Sequence, residues 1–181
     1  MSVRPHVRRT VVALAVTGAA ATAVVAAAGT ASAMPTDFAC TASQVDTTLV
    51  AGSPGAGQRY ASVQFTAKPG ETCTLQGALP VALTGAEGIT VTPDPAAADA
   101  PRVTVTDGAP ASMLLHWTGI EAPEHQVEPA TVTVTAPQTT TPRGETSDPA
   151  ITLPWNQGPL DGSAEAHELF VGAVTAGPAR Y

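Results

Sequence analysis

The sequence predicts an all-β fold, a sandwich or barrel of antiparallel strands that follows an export signal. The first observation is a period of two: in residues 60–67, Val63 and Phe65 share one face, and Ser62 and Gln64 share the other. The second is composition, because Val and Thr, which favour strands, dominate such runs. The third is spacing, because clusters of Pro and Gly separate the runs from one another.

Residues 1–33 are interpreted as a secretory signal peptide. They contain, in the expected order, a positive start, an uncharged apolar run and a small-x-small cleavage site: Arg4, Arg8 and Arg9, then residues 11–28, then Ala31-Ser32-Ala33. Cleavage there leaves residues 34–181 as a single exported domain. A retained membrane anchor is the alternative, because about 18 apolar residues approach the length that spans a bilayer. The pair Arg8-Arg9 also leaves a twin-arginine export route open.

The strands are predicted one by one along residues 34–181. The clearest alternation of apolar and polar side chains occurs in five runs: residues 60–67, 89–92, 102–106, 112–117 and 131–135. Four further candidates complete the set: residues 46–50, 81–83, 150–153 and 169–174. The Pro and Gly clusters between these runs are expected to form the turns.

Helices have little room in this pattern. The three alanines of residues 96–98 favour a helix, but Pro93, Pro95 and Pro101 are expected to prevent one. Residues 163–169 are the one remaining segment that could turn helical. The longest polar segment, residues 136–149, is predicted to be an exposed hairpin loop, because the residues after it are too few to form a second core.

The charge balance excludes several classes of partner. The full chain has a net charge of −7, and removal of the signal leaves five basic residues against fifteen acidic ones. Nucleic acids and anionic membranes are therefore not expected as partners, because both require clustered Lys and Arg. Leu, Ile, Val and Phe make up only about 18% of residues 34–181. The core is consequently expected to be thin.

Cys40 and Cys73 are expected to form a disulfide, which is the simplest state for two cysteines in an exported chain. A bridge across about 33 residues adds roughly 3–4 kcal/mol of stability in the chain-entropy model. A zinc or catalytic role is not expected, because the spacing fits no zinc motif and neither cysteine has a neighbouring His or Lys.

Catalytic and metal-binding motifs are missing from the sequence. It contains no G-x-S-x-G elbow, no phosphate loop and no zincin helix. Met113 and His116 suggest copper binding, but residues three apart on a strand face opposite sides. The acidic patches at residues 124–125 and 165–168 lack the spacing of a metal site. We therefore expect no catalytic residue, no metal and no cofactor.

The two tryptophans allow two interpretations. Trp117 lies on a predicted strand, and a strand Trp is typical of the core of immunoglobulin-like domains. Trp155 follows Pro154 near a strand end, so it either packs in the core or is an exposed aromatic that binds a carbohydrate or a protein. Trp155 is the candidate binding residue.

Several segments of the chain resemble a large actinobacterial family of exported proteins with a C-T-L-x-G…P-x-V-x-L motif. They are, in order, Cys73-Thr74-Leu75-Gln76-Gly77, Pro80-Val81-Ala82-Leu83, residues 111–117, Leu153-Pro154-Trp155 and residues 169–174. The family is known only as a domain of unknown function. The resemblance implies an immunoglobulin-like sandwich and a Cys40–Cys73 bridge, and it implies no activity. The chain departs from the family by one extra residue before Pro80 and by the absence of a second cysteine pair after Trp117.

The sequence therefore predicts an exported, non-catalytic, immunoglobulin-like antiparallel β-sandwich that acts by binding or as a cell-envelope component. We expect a secreted monomer, extracellular or associated with the cell wall, whose partner is a protein or a cell-wall ligand. A secreted protease inhibitor is the alternative, although residues 136–149 carry no disulfide to stiffen an inhibitory loop. A secreted hydrolase is a weaker alternative, and it would require a buried carboxylate or His in a cleft.

Overall fold

The computed structural model describes residues 38–139 and 146–179. Within these ranges the chain forms twelve strands and two short 3-10 helices, Pro95–Asp99 and Pro123–His125. The strands are β1 (Val45–Ala51), β2 (Gln58–Ala67), β3 (Cys73–Leu75), β4 (Val81–Thr84), β5 (Thr90–Pro93), β6 (Val103–Val105), β7 (Ala111–Thr118), β8 (Gln126–Val127), β9 (Thr131–Thr135), β10 (Ala150–Pro154), β11 (Leu160–Asp161) and β12 (Glu168–Ala176).

The larger sheet contains five strands in the order β1-β2-β7-β12-β5. All neighbours are antiparallel except β12 and β5, which run parallel. The register of β12 against β7 shifts between Val171 and Val174, where two residues of β12 oppose Leu114. This shift is a β-bulge, which bends a strand and redirects its side chains.

The second layer consists of the three-stranded sheet β10-β9-β4 and the strand pairs β3–β6 and β8–β11. Inward side chains of the five-stranded sheet and of every second-layer strand except β8 form one core. Its largest fully buried members are Phe65, Met113, Leu115, Trp117, Leu160 and Leu169, with Val63, Val105, Val132, Val134, Val171 and Val174 between them. The fold is therefore the all-β sandwich that the alternating sequence pattern predicts.

The period of two decides which side chains reach this core. On β7, Met113, Leu115 and Trp117 are at most 1% exposed, whereas Leu114 between them is 37% exposed. Each fully buried apolar side chain of this size contributes about 1.5–3 kcal/mol. The alternate residues of the same strand, such as Leu114, point to the opposite face of the sheet and contribute to its surface.

The predicted disulfide between Cys40 and Cys73 is present, and both cysteines are fully buried. The backbone beside it is paired as well: Ala39 forms a parallel bridge with Thr74, and the Cys40 N–H donates to the Thr74 carbonyl at 2.9 Å. The bridge thus ties the start of the described chain to β3.

The expectation that prolines prevent any helix around residues 96–98 is wrong. Pro95 begins a 3-10 helix, at a position where a missing N–H costs nothing. Asp94 caps this helix, because its Oδ1 accepts a hydrogen bond from the Ala96 N–H at 2.9 Å. Residues 163–169, the other candidate, form no helix: residues 163–166 form a bend and a turn, and β12 begins at Glu168.

The long polar segment after β9 does lie in a hairpin, since β9 pairs with β10 in antiparallel register. Residues 140–145 of that loop lie outside the described residues, and so does the predicted signal peptide, residues 1–33. In the part of the chain that is described, no helix has the length and apolar character needed to cross a membrane.

Candidate functional site

Three rings stand side by side on the outer face of the five-stranded sheet. Tyr60 on β2, His116 on β7 and Phe170 on β12 are direct register partners across three neighbouring strands. The ring centroids of Tyr60 and His116 are 6.0 Å apart, and those of His116 and Phe170 are 4.7 Å apart with 10° between the ring planes. We call these three side chains the aromatic row.

The row follows from strand alternation and register. On β7 the inward side chains Leu115 and Trp117 leave His116 on the outer face, and the same alternation places Tyr60 and Phe170 there. Because neighbouring strands are about 4.8 Å apart, rings at paired positions stack against one another. All three side chains remain partly exposed. The row therefore both stabilises the sheet and contributes to its surface.

Leu114 extends this apolar surface. It lies on the same outer face of β7 and is 37% exposed. Gly172 lies opposite it in the β12 bulge, where an added Cβ would be 3.5 Å from the Leu114 Cβ. Because Gly172 has no side chain that could cover Leu114, the bulge leaves a shallow apolar area. We call the aromatic row together with Leu114 the aromatic face.

The Phe170 end of the row is acidic. Glu168 precedes Phe170 by two residues on β12 and so lies on the same face. Thr92 of β5 is the register partner of Phe170, and Asp94 lies two residues beyond Thr92 at the end of β5. The Asp94 N–H donates to the Val171 carbonyl at 2.8 Å, which fixes this residue against β12. By register, Glu168 and Asp94 therefore lie on either side of the Phe170 position along this face of the sheet.

Burial and the nearby negative charge of Asp94 both affect the pKa of His116. Burial lowers the pKa of His116 below its ordinary value of 6.5, and the negative charge of Asp94 opposes that shift with a smaller raising effect. The imidazole is therefore held mainly neutral at pH 7, stacked on Phe170.

A second polar centre, the fully buried Asp161, holds the loop that follows β7. Its carboxylate accepts hydrogen bonds from the N–H groups of Ile120 at 2.9 Å and Glu121 at 3.0 Å, and from the Gln126 side chain at 3.1 Å. Burial acts to raise the pKa of Asp161, but these hydrogen bonds and one from Thr118 outweigh burial and lower the pKa. Asp161 is therefore a structural anion with its lone pairs occupied.

The loop held by Asp161 presents a large apolar side chain to solvent. Ile120 is 71% exposed, and its Cγ2 lies where it would be 2.9 Å from a Cβ built on Gly57. Gly57 has φ of 82°, so glycine is required there both by the backbone and by the close approach of Ile120. Nothing in the alternation of the sequence marks Ile120, because it lies in a loop.

Trp155, the candidate binding residue, lies in the core and is only 6% exposed. Its ring centroid is 5.0 Å from that of Trp117, with 57° between the planes. The indole N–H of Trp155 donates to the Gly158 carbonyl at 2.7 Å, and that of Trp117 donates to the Pro159 carbonyl at 3.1 Å. Trp155 therefore packs in the core, which was one of its two interpretations. The other interpretation, an exposed aromatic that binds a ligand, is wrong because the ring offers almost no surface to a ligand.

The remaining histidines and acidic residues do not converge. Met113 is fully buried and accepts a hydrogen bond from the Leu79 N–H through its Sδ, so it faces away from His116 as the strand spacing predicts. The Nδ1 of His167 lies 2.9 Å from the Ser163 carbonyl and closes a turn. Among residues 38–139 and 146–179, no group of three or more His, Cys, Asp or Glu is placed to hold a metal ion.

Two surface clefts flank the sandwich. One, of about 290 Å³, opens between the edges β4 and β5 and is lined by Leu79, Val81, Val91 and other apolar side chains. The other, of about 640 Å³, lies between the 3-10 helix Pro95–Asp99 and the end of β12, and includes Asp99 among mostly small residues. The first cleft therefore offers apolar contact, whereas the second also contains the charged side chains of Asp99 and Arg102.

The aromatic row was not identified from the sequence, although its three members were visible. Strand alternation alone places Tyr60 beside Ser62 and His116 opposite Met113 on the outward side of their strands, but the sequence does not specify which strands are neighbours. Only the order β2-β7-β12 brings these positions together. A usable signal would have been an aromatic residue or His on the outward side of three separate predicted strands.

Comparison with known families gives one match. A model described as a domain of unknown function (DUF4232) matches residues 40–175, which include both cysteines and extend into β12. No curated protein and no solved structure matches the chain. The match agrees with the resemblance to a domain of unknown function that the sequence segments predict.

Proposed function

Because the chain belongs to the DUF4232 family of domains of unknown function, we propose that it is an exported, non-catalytic binding module whose contact surface is the aromatic face. The observation that carries the proposal is the aromatic row of Tyr60, His116 and Phe170, which with Leu114 forms a continuous, partly exposed apolar surface. Exposed contiguous apolar patches mark interaction sites, where a bound partner covers the patch.

The conformation of the face also supports a binding role. Its members project from three paired strands of a sheet, so they are held in place before any ligand arrives. Preorganised aromatic side chains lose little entropy on binding, and aromatic residues are enriched in binding hot spots. The face is therefore suited to a macromolecular partner, either a protein or a cell-wall component.

Export is supported by two features. The first 33 residues have the pattern of a secretory signal, and the Cys40–Cys73 disulfide is typical of oxidising compartments. We propose secretion to the cell surface or medium of an actinobacterium, in agreement with the resemblance drawn from residues 73–83.

A non-catalytic role is supported by what the titratable groups do in the fold. Asp161 is fully occupied by hydrogen bonds to the loop after β7, and His167 closes a turn. His116 is stacked between two rings and is therefore not aimed into a cleft. Each of these groups has a structural task that accounts for its position.

The test is capture by washed cell walls and, separately, by concentrated culture medium, with the oxidised protein purified after export. The variants Tyr60→Thr and Phe170→Thr remove rings while keeping strand-forming residues. Phe38→Thr is the matched control, because Phe38 is 55% exposed but lies outside the aromatic face. We expect capture of a specific partner that both face variants abolish and the control retains.

Two outcomes would overturn the proposal: no capture from either source, or capture that the face variants leave unchanged. The inhibitor alternative is examined in the same experiment by including a panel of secreted proteases. An inhibitor acting through the loop of residues 136–149 would keep its activity in Tyr60→Thr and Phe170→Thr, which would assign the function to the loop instead of the sheet.

A further inference from the structure

We propose that the aromatic face receives a cationic side chain, the lysine or arginine of a partner protein, at a corner formed by Phe170, Asp94 and Glu168. This inference rests on the proposed function and names the chemistry of the partner at that site. We call these three residues, with Thr92 beneath them, the cation corner.

The first step of the argument is the free side of the Phe170 ring. One side stacks on His116 at a centroid distance of 4.7 Å with nearly parallel planes. The other side is turned toward β5, where the register partner is Thr92. Thr92 is too small to cover a phenyl ring, and β5 is the last strand in the order of its sheet. The aromatic row therefore ends at β5 with one ring side that no further aromatic covers.

The second step is the charge around this ring. Glu168 lies two residues before Phe170 on the same face of β12, and Asp94 lies two residues after Thr92 along β5. Asp94 is exposed, and its Oδ1 accepts the Ala96 N–H at 2.9 Å, which orients the carboxylate. The negative charge of this carboxylate also raises the pKa of His116, against the larger lowering effect of burial.

The third step is the choice of ligand. A cation over an aromatic ring gains about 0.5–1 kcal/mol at an exposed site, and two flanking carboxylates attract the same group. An anionic group would be repelled by the carboxylates, and a neutral apolar group would gain no electrostatic attraction from them. The overall charge agrees with this choice, because acidic residues outnumber basic ones fifteen to five after residue 33. A basic segment of a protein would thus be attracted at long range and held at the corner.

The test is an NMR titration of the oxidised, ¹⁵N-labelled protein with the peptide acetyl-Gly-Arg-Gly-amide. The matched probe carries citrulline in place of arginine, which keeps the shape and removes the charge. We expect amide shifts centred on Thr92, Asp94 and Phe170 with the arginine probe and none with the citrulline probe. Phe170→Leu should weaken binding about two- to fivefold, the range that a lost exposed cation–π contact gives.

Charge controls separate the corner from general attraction. Asp94→Asn and Glu168→Gln should each weaken binding at least about twofold. Asp46→Asn removes the same charge from the same outer face on β1, the opposite edge of the sheet, and should have less effect than either. Both corner variants change exposed or partly exposed side chains at nearly constant shape, so the test holds even if Phe170→Leu does not fold.

The proposal is overturned if citrulline binds as well as arginine, or if Asp46→Asn weakens binding as much as Asp94→Asn. Its failure differs from failure of the proposed function. Capture of a partner that needs Phe170 but is unchanged by Asp94→Asn and Glu168→Gln would reject the cation corner and keep the aromatic face. Absence of any partner that needs Phe170 would reject the aromatic face itself.

Discussion

The ring of His116 lies 4.7 Å from that of Phe170, with only 10° between their planes, at directly paired positions of β7 and β12. This contact joins the central strand of the larger sheet to the strand that carries β5 in parallel. It covers one side of the Phe170 ring, and β5 lies next to β12 on the other side. One pair therefore connects the stability of the sheet with the surface that we propose for binding.

The first prediction concerns the coupling energy of this pair. A double-mutant cycle with His116→Thr and Phe170→Thr should give a coupling of about 0.5–1.5 kcal/mol, the range for stacked aromatic pairs. Urea unfolding of the four proteins measures it. Tyr60 and Phe170 are both on the row but are not register neighbours, so their cycle serves as the control. A coupling for Tyr60 and Phe170 equal to that of the neighbouring pair would contradict direct stacking as its source.

The second prediction concerns pH. Because burial lowers the pKa of His116 below 6.5 in the folded protein, the unfolded chain binds the proton first as pH falls. The contribution of His116 to the free energy of unfolding should therefore be constant above about pH 6.5. That free energy should decrease as the pH falls from about 6.5 to the folded pKa, and it should be constant again below the folded pKa. His116→Gln should abolish this segment of the profile, which urea unfolding at a series of pH values measures.

The effect of Asp94 on the pKa of His116 can be tested separately. The groups that face His116 are Tyr60 from β2, Phe170 from β12 and the carboxylate of Asp94 at the end of β5. Asp94→Asn removes the one influence that raises the pKa of His116, so the pKa should fall further. An NMR titration of the imidazole protons measures this shift directly. A higher pKa in Asp94→Asn would show that Asp94 does not act on the row.

The third prediction concerns the disulfide. The Cys40–Cys73 bridge closes a separation of 33 residues, and its removal should cost roughly 3–4 kcal/mol in the chain-entropy model. The paired substitution of Cys40→Ser and Cys73→Ser, compared with the oxidised protein by urea unfolding, measures the loss. Reduction of the native protein should produce a similar change. A loss below about 1 kcal/mol would mean that the bridge restricts the unfolded chain far less than this model assumes.

The sequence was sufficient for most of the fold because period-two alternation and turn residues are local signals. Nine predicted strands correspond to β1, β2, β4, β5, β6, β7, β9, β10 and β12. The three that were missed, β3, β8 and β11, have only two or three residues each. An alternation cannot be recognised in so few positions, and the partners of these strands are equally short: β3 pairs with β6, and β8 pairs with β11.

The candidate site was less predictable because it depends on neighbours in space. The outward position of His116 follows from its strand, but its contact with Phe170 needs the pairing of β7 with β12, some fifty residues apart in sequence. Trp155 had two interpretations from the sequence, and its packing against Trp117 selects the buried one. Contacts between residues distant in sequence, which local patterns do not encode, decided both outcomes.

The last prediction concerns Asp161, whose buried carboxylate holds the N–H groups of Ile120 and Glu121. Asp161→Asn keeps the shape but replaces one acceptor by a donor, so it should cost about 1.5–3 kcal/mol, the value of hydrogen bonds to a charged group. Asp107→Asn, at an exposed loop position, is the control and should stay within about 0.5 kcal/mol.

Because the folded pKa of Asp161 is lowered, the contribution of Asp161 to stability should be complete above about pH 4 and be lost as pH falls through the folded pKa. Urea unfolding between neutral and acidic pH measures both effects, and hydrogen exchange at residues 120–121 should quicken in Asp161→Asn alone. Unchanged exchange there would show that the loop is held by other contacts.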